Sequence, residues 1–219
     1  MGRSAVLLRS KFRRSCGRYN GGMSAPRTST VNRTTSETKI SLSLALDGDG
    51  SSSVNTGVGF LDHLLTHVAR HGLLNLTVEA EGDLHIDDHH TVEDVGICLG
   101  QALKAALGDK AGIARYGDAT VPMDEALVLV ALDFSGRGGA HVALEFPDPR
   151  IGTFATELVE EFLHALAREA GLNVHVRQLA GRNSHHIAEA AFKALGRALR
   201  MAVASDPRVT GIPSTKGVL

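Results

Sequence analysis

His89-His90-Thr91-Val92-Glu93 returns in the second half of the chain as His185-His186-Ile187-Ala188-Glu189. Each copy opens a segment with helical periodicity, and each follows a segment in which apolar and polar residues alternate as in a strand. A motif that recurs with the same neighbouring elements indicates an internal duplication. The sequence therefore predicts two related half-domains, each of which contributes one cluster of histidine and glutamate.

The segments around the two motifs follow one order, strand-strand-helix-strand-helix. In the first half they are predicted at 38–46, 51–57, 60–71, 74–80 and 91–107, and in the second at 126–134, 140–146, 156–170, 172–179 and 184–204. This order predicts an α+β fold of two similar half-domains, about 35–120 and 121–219, with helices on one face of each sheet. A sheet face left open favours self-association.

Charge divides the chain unevenly. Residues 1–36 carry eight of the 23 Lys and Arg residues and none of the 24 acidic residues. The acidic remainder argues against a nucleic-acid-binding protein. Residues 1–34 are rich in Ser, Gly and Thr and lack periodicity, which predicts a disordered basic tail. The tail is interpreted either as an organellar transit peptide or as an extension before a true start at Met23.

Apolar runs and cysteines narrow the class of protein. The longest apolar run, 126–132, is far too short to cross a membrane. Cys16 and Cys98 provide no disulfide framework, which is typical of a reducing compartment. We therefore expect a cytoplasmic protein, or an organellar one if the tail is a transit peptide. Cys98 lies in an apolar helical stretch and is predicted to be buried.

The spacing within each motif suits metal ions. Successive helical residues point about 100° apart, so adjacent histidines do not readily hold one ion together. Glu93 follows His89 by four residues and His90 by three, which makes it a neighbour of both. One helix start can thus offer a His and a Glu to one ion and its second His to another. Imidazole with carboxylate suits Mn, Fe, Co or Zn.

Further histidines and cations complete the candidate set. His63, His67 and His71 repeat every four residues and share one helix face, which fits either a site or a polar surface stripe. The candidate anion-binding residues are Arg115, Arg137, Lys193, Ser214, Thr215 and Lys216. Taken singly, each of these residues is more typical of a solvated surface.

Five stretches resemble the imidazoleglycerol-phosphate dehydratase family: 60–65, 88–94, 133–137, 180–190 and 213–217. The resemblance runs from about Thr35 to Leu219. It implies two repeated halves like the second domain of ribosomal protein S5. It also implies metal-dependent dehydration of D-erythro-imidazoleglycerol phosphate to imidazole-acetol phosphate and water, in L-histidine biosynthesis. The implied cofactor is Mn²⁺, two ions per active site, with sites between subunits of a twenty-four-subunit homo-oligomer.

The resemblance also assigns residues. The implied metal ligands are His63, His89, His90, Glu93, His185, His186 and Glu189. The implied substrate contacts are Glu37, His71, Arg115, Arg137, Lys193, Ser214, Thr215 and Lys216. Catalysis is assigned to Glu37, as the candidate general acid or base, and to His63 and Glu189.

One position departs from the family pattern, and one histidine falls outside it. Glu161 stands where many family members have a histidine, within Val159-Glu160-Glu161-Phe162. We predict that Glu161 is a metal ligand, because a carboxylate binds Mn²⁺ well. His67 has no family role and is expected to be structural.

Two other functions remain open on the residues alone. A dinuclear metallohydrolase acting on a phosphate ester uses similar ligands, and it would release phosphate. A metal-binding shell or storage protein would take up metal without turnover. The storage function gives no reason for the anion-binding residues, which favours an enzyme.

Overall fold

Within residues 26–219, which the computed structural model describes, the chain forms ten strands and four helices. The first half comprises β1 (Thr28–Thr34), β2 (Thr38–Ala45), β3 (Ser52–Asn55), α1 (Gly59–Gly72), β4 (Asn75–Gly82) and α2 (His89–Leu107). The second half comprises β5 (Tyr116–Met123), β6 (Ala126–Asp133), β7 (Gly139–Ala143), β8 (Arg150–Ile151), β9 (Phe154–Ala155), α3 (Leu158–Ala170), β10 (Asn173–Ala180) and α4 (Ser184–Val203). None of these helices is both long and apolar enough to span a membrane.

The two halves share one topology. Their strand orders are β1-β2-β4-β3 and β5-β6-β10-β7. In each sheet the third strand pairs in parallel with the strand that follows the helix, while the other pairs are antiparallel. The predicted α+β fold of two similar halves is confirmed, and both halves contain the predicted strand-strand-helix-strand-helix series. Each half also has one further strand at its start.

The first additional strand, β1, corrects the predicted tail. Residues 1–25 lie outside the described part of the chain, but Thr28–Thr34 pairs with β2 along its whole length. No residue of β1 is buried, so the strand shows little apolar periodicity. It is held by backbone pairing, by β-branched side chains that favour strands, and by the ion pair of Arg33 with Asp94 at 2.9 Å. The amino-acid composition of the segment does not reveal these contacts, so it predicted disorder instead of a strand.

The second additional strand, β5, corrects the boundary between the repeats. β5 pairs antiparallel with β6 across the predicted division at 120/121, so the second repeat begins before it. Its residues 116–123 carry a glycine and a proline, which weaken a strand prediction. Gly117 is needed there, because a Cβ atom would lie 2.1 Å from the Ala198 carbonyl oxygen of α4. The strand therefore lies directly against the helix that carries the second motif.

The helices form one layer between the two sheets. In each half both helices cover one face of the sheet, while α1 packs on α4 and α2 packs on α3 across the division between the halves. One continuous apolar cluster includes both sheets and all four helices, and Cys98 is buried in it as predicted. The other face of each sheet is open, as the alternating burial along β2 shows.

Glycines set the distance between the paired helices. A Cβ at Gly196 of α4 would lie 2.7 Å from the Val68 carbonyl oxygen of α1. A Cβ at Gly100 of α2 would lie equally close, at 2.7 Å, to the Leu166 carbonyl oxygen of α3. The close approach of α1 and α4 brings a helix of the first repeat beside the histidine motif of the second.

Candidate active site

A compact histidine and glutamate cluster lies where α1 meets α4. His63 Nε2 is 3.3 Å from Glu189 Oε2, and His185 Nε2 is 3.0 Å from the same oxygen. One ligand atom from each of these three side chains lies within 4.8 Å of the other two. Two imidazole nitrogens and a carboxylate oxygen fit a divalent ion such as Mn²⁺. The structure thus joins His63 of the first repeat to two predicted ligands of the second.

The start of α4 orients its two histidines in different directions. The Asn183 side chain accepts hydrogen bonds from the backbone N–H groups of His185 and His186 and so caps the helix. The two imidazole rings are 6.1 Å apart at 86°, and the His89 and His90 rings repeat this arrangement at 6.2 Å and 87°. His185 therefore joins Glu189, while His186 points elsewhere, as the helical spacing predicted.

Glu189 is a buried anion surrounded by nitrogen atoms. Its side chain is 7% exposed, and its Oε1 atom is 2.6 Å from Lys193 Nζ and 3.2 Å from His67 Nε2. Burial raises the pKa of Glu189. Hydrogen bonds from Lys193 and His63, together with the electrostatic attraction of His67, outweigh this effect and hold the pKa at about 2. The carboxylate is therefore ionised and available to a cation.

His67 belongs to this cluster, although it was expected to be structural. Its Nε2 atom lies 3.2 Å from His63 Nε2, and its ring stacks on His71 with the centroids 5.8 Å apart. Burial, with smaller contributions from nearby positive groups, lowers the pKa of His67 to about 4, so its imidazole is neutral near pH 7. The spacing of four residues from His63 was the available signal.

The second histidine of each motif contacts a carboxylate that the sequence did not single out. His90 Nδ1 lies 3.0 Å from Asp83 Oδ2, and His186 Nδ1 lies 2.7 Å from Glu125 Oε2. Glu37, the predicted general acid or base, stands beside His90, with 3.8 Å between Oε1 and Nε2. The structure therefore places Glu37 at the first motif.

The remaining predicted ligands lie around the start of α2 and in α3. His89 lines a small cavity of about 80 Å³ with Asp88 and Arg150, and Glu93 Oε1 lies 3.5 Å from Arg168. Glu161 is half-buried in α3. It stands ten residues before a left-handed C-cap, as His63 does in α1. Glu161 is thus the counterpart of His63 in the second repeat, beside the helix that bears the first motif.

A second site gathers the predicted anion-binding residues in an open cleft of about 590 Å³. Its polar lining comprises Arg115, Tyr116, Arg137, Ser214, Thr215 and Lys216. Arg115 donates to both Asp133 oxygens, at 2.6 and 3.1 Å, and to the Pro213 carbonyl oxygen at 2.8 Å. The hydrogen bond with Asp133 raises the pKa of Arg115, so the guanidinium stays charged and fixes the C-terminal segment. Lys193 lies outside this cleft, at Glu189.

The two sites together have a definite chemical character. The first is a nitrogen and oxygen donor set of the kind that binds a divalent metal ion. The second presents two guanidinium groups, an ammonium and two hydroxyls, a combination that recognises a phosphate or carboxylate. The first site thus suits a metal ion, and the second suits the anionic group of a small substrate.

Comparison with known proteins matches most of the chain to one enzyme family. The family profile of imidazoleglycerol-phosphate dehydratase matches residues 56–199. A protein of that name from Moorella thermoacetica is 65% identical over 193 residues, which cover 88% of this chain and 98% of the relative. Another from Desulforamulus reducens is 65% identical over 187 residues, which cover 85% and 95% of the two chains.

Solved structures of the same family resemble this chain in fold. Crystal structures of the dehydratases from Staphylococcus aureus and Pyrococcus furiosus each superpose with a TM-score of 0.75 at 41% sequence identity. The match covers 82% of this chain and 99% of the S. aureus chain, and 86% of this chain and 100% of the P. furiosus chain. With its duplicated fold, its histidine and glutamate cluster and its basic cleft, the chain belongs to the imidazoleglycerol-phosphate dehydratase family, hydro-lyases that catalyse a dehydration step of histidine biosynthesis.

Proposed function

We propose that this protein catalyses the Mn²⁺-dependent dehydration of D-erythro-imidazoleglycerol phosphate to imidazole-acetol phosphate and water. The observation that carries this proposal is the convergence of His63, His185 and Glu189 within 4.8 Å, in a member of this family. Bound Mn²⁺ would act as a Lewis acid toward the imidazole ring, where charge develops when a non-acidic carbon loses its proton.

The two motifs divide the metal ligands between them. His63, His185 and Glu189 would hold one ion. His89, Glu93 and Glu161 are the corresponding residues of the other repeat and would hold the second, and His90 and His186 supply the remaining imidazoles. Glu161 replaces a histidine with an oxygen donor, which Mn²⁺ accepts readily.

Glu37 is the proposed proton-transfer group. Its carboxylate is half exposed and stands 3.8 Å from His90, so it can reach a substrate bound at the first motif. His63 and Glu189 would take part in catalysis by holding a metal ion at the ring side of the substrate, and His71 and Lys193 would contact the substrate beside them. Arg115, Arg137, Ser214, Thr215 and Lys216 would bind the phosphate and so fix the substrate in position.

The distance between the two sites of one chain supports an active site shared between subunits. Arg115 directly precedes β5, whereas Lys193, beside Glu189, contacts Met123 at the other end of that strand at 3.4 Å. A strand of this length spans about 25 Å, too far for a substrate whose ring and phosphate are joined by three carbons. We therefore propose that neighbouring subunits complete each site, in a twenty-four-subunit cytoplasmic homo-oligomer.

Metal titration tests the proposal. The protein is stripped of metal with a chelator, and the rate of imidazoleglycerol-phosphate dehydration is followed as Mn²⁺ is added. We expect no turnover without metal and a rate that saturates near two Mn²⁺ per chain. Mg²⁺, which prefers oxygen ligands, is the control and should restore little activity. Full activity of the metal-free protein would contradict the proposal.

A further inference from the structure

The same contact occurs at the second histidine of both motifs. His90 Nδ1 lies 3.2 and 3.0 Å from the two oxygens of Asp83, and His186 Nδ1 lies 2.7 Å from Glu125. A carboxylate only accepts hydrogen bonds, so each contact requires that Nδ1 carries the proton. The neutral imidazole then has its free lone pair on Nε2, and only that form of the ring can bind a metal ion through Nε2.

The Nε2 atom of neither histidine forms a hydrogen bond with the carboxylate beside it. His90 Nε2 is 3.8 Å from Glu37, and His186 Nε2 is 3.6 Å from Asp124. Both distances exceed the range of a good hydrogen bond. Each ring is therefore held at Nδ1 and presents Nε2 toward a second carboxylate, and the negative charge there favours a cation.

The two carboxylates come from different elements, so the contact is not simply copied by the duplication. Asp83 directly follows β4, whereas Glu125 lies in the turn between β5 and β6. The residue that directly follows β10, the counterpart of β4, is Gly181, which has no side chain. The second repeat thus makes the same contact with a residue from a different place.

We infer that Asp83 and Glu125 are positioning residues of the metal centre: each accepts the Nδ1–H of the second histidine and so directs the Nε2 lone pair to a divalent cation. This inference rests on the proposed function, because it assumes that His90 and His186 are metal ligands. Carboxylates that fix a ligating histidine in this way strengthen metal binding about 10- to 100-fold.

The contacts of Glu125 separate this role from a merely structural one. Its Oε1 atom accepts the backbone N–H groups of Arg182 and Asn183 at 3.1 and 2.9 Å, while Oε2 faces His186. In Glu125→Gln the remaining oxygen can keep both backbone contacts, which leaves the amide NH₂ at Nδ1. That donor favours the His186 ring with its proton on Nε2, where it blocks a metal ion.

The experiment measures Mn²⁺ binding by wild type, Glu125→Gln and Asp83→Asn, with free Mn²⁺ counted by electron paramagnetic resonance. Asp109→Asn is the matched control, since Asp109 accepts a backbone N–H from Ala111 and contacts no histidine. Thermal unfolding of the metal-free proteins reports any structural damage. Asp83→Asn also serves if Glu125→Gln fails to fold, because the Asp83 side chain hydrogen-bonds only to His90 among the described residues.

We expect both variants to bind Mn²⁺ about 10- to 100-fold more weakly than wild type, with metal-free unfolding temperatures close to that of wild type. The control should match wild type in both measurements. Wild-type affinity in the two variants would overturn the positioning role and leave the proposed function intact. Absence of Mn²⁺ binding by wild type itself would instead overturn the proposed metal dependence.

Discussion

At the scale of single residues, Glu189 is the centre of the cluster between α1 and α4. Its carboxylate contacts His63, His67, His185 and Lys193, and these contacts keep it ionised despite burial. The sequence indicated His63, His185 and Glu189 through the repeated motif and the family resemblance. It did not indicate Asp83 or Glu125, because a carboxylate that supports a histidine from a loop leaves no spacing pattern in the sequence.

Replacement of Glu189 by Gln should abolish most activity. The amide keeps the shape of the side chain but removes the negative charge, so the site loses a ligand and binds metal more weakly. We expect turnover to fall about 100-fold or more and the bound Mn²⁺ to decrease. Kinetics and metal analysis on the same preparation measure both. Full activity with intact metal content would show that Glu189 is not a ligand.

Cys98 should resist alkylation in the folded protein. Burial raises the pKa of its thiol to about 11, so only about 0.1% is thiolate at pH 8, and the side chain is inaccessible. With Cys16 replaced by Ser, iodoacetamide should label the protein only after denaturation. Rapid labelling of the native protein at pH 8 would contradict the buried position.

At the scale of the elements, the sequence predicted those with strong apolar periodicity. All four helices were found, and α3 begins at Leu158 rather than at 156. The prediction missed β1 and β5 and the two-residue strands β8 and β9; β1 and β5 contain few buried apolar residues and depend on pairing with β2 and β6. Backbone pairing with the neighbouring strand holds them, so their own apolar pattern does not reveal them.

The crossing of α1 and α4 should be sensitive to one methyl group. A Cβ at Gly196 would lie 2.7 Å from the Val68 carbonyl oxygen, so Gly196→Ala must force the helices apart. We expect a loss of about 1–3 kcal/mol in the free energy of unfolding, measured with denaturant. Gly59→Ala is the control, because a Cβ there meets nothing within 4 Å. Equal stability of the two variants would contradict the close packing.

The C-terminal segment should act in substrate binding. Lys216 lines the cleft that Arg115 and Arg137 share, and its ammonium would contact the phosphate. Lys216→Ala should raise KM about 10-fold and leave kcat nearly unchanged, since a charged hydrogen bond contributes about that much binding. Lys104→Ala, on the surface of α2, is the control. An unchanged KM in Lys216→Ala would remove this residue from the phosphate site.

At the scale of the whole molecule, the duplicated fold produces two kinds of site far apart on one chain. The helix layer brings α1 of one repeat to α4 of the other, and this contact builds the histidine and glutamate cluster. The anion cleft forms instead at the far end of β5 and the C-terminus. The sequence singled out most of the residues that line the two sites. It could not show that the two sites of one chain lie at opposite ends of β5.

Mixing two inactive variants tests whether subunits share each active site. Glu189→Gln damages the metal cluster, and the double variant Arg137→Ala/Lys216→Ala damages the anion cleft. After dissociation and random reassembly, about one site in four should combine an intact cluster with an intact cleft from neighbouring chains, and activity should return. Each variant reassembled alone is the control. No recovery in the mixed assembly would indicate that each chain forms its site alone.

The most direct test of the central claim follows both products of the reaction. Metal-stripped protein is given imidazoleglycerol phosphate with and without Mn²⁺, and the ketone product and free phosphate are measured together. We predict ketone formation that depends on Mn²⁺, with no phosphate released, because dehydration leaves the phosphate ester intact. Release of phosphate would identify a hydrolase, and tight Mn²⁺ binding without turnover would identify a metal-binding protein; either result would contradict the account.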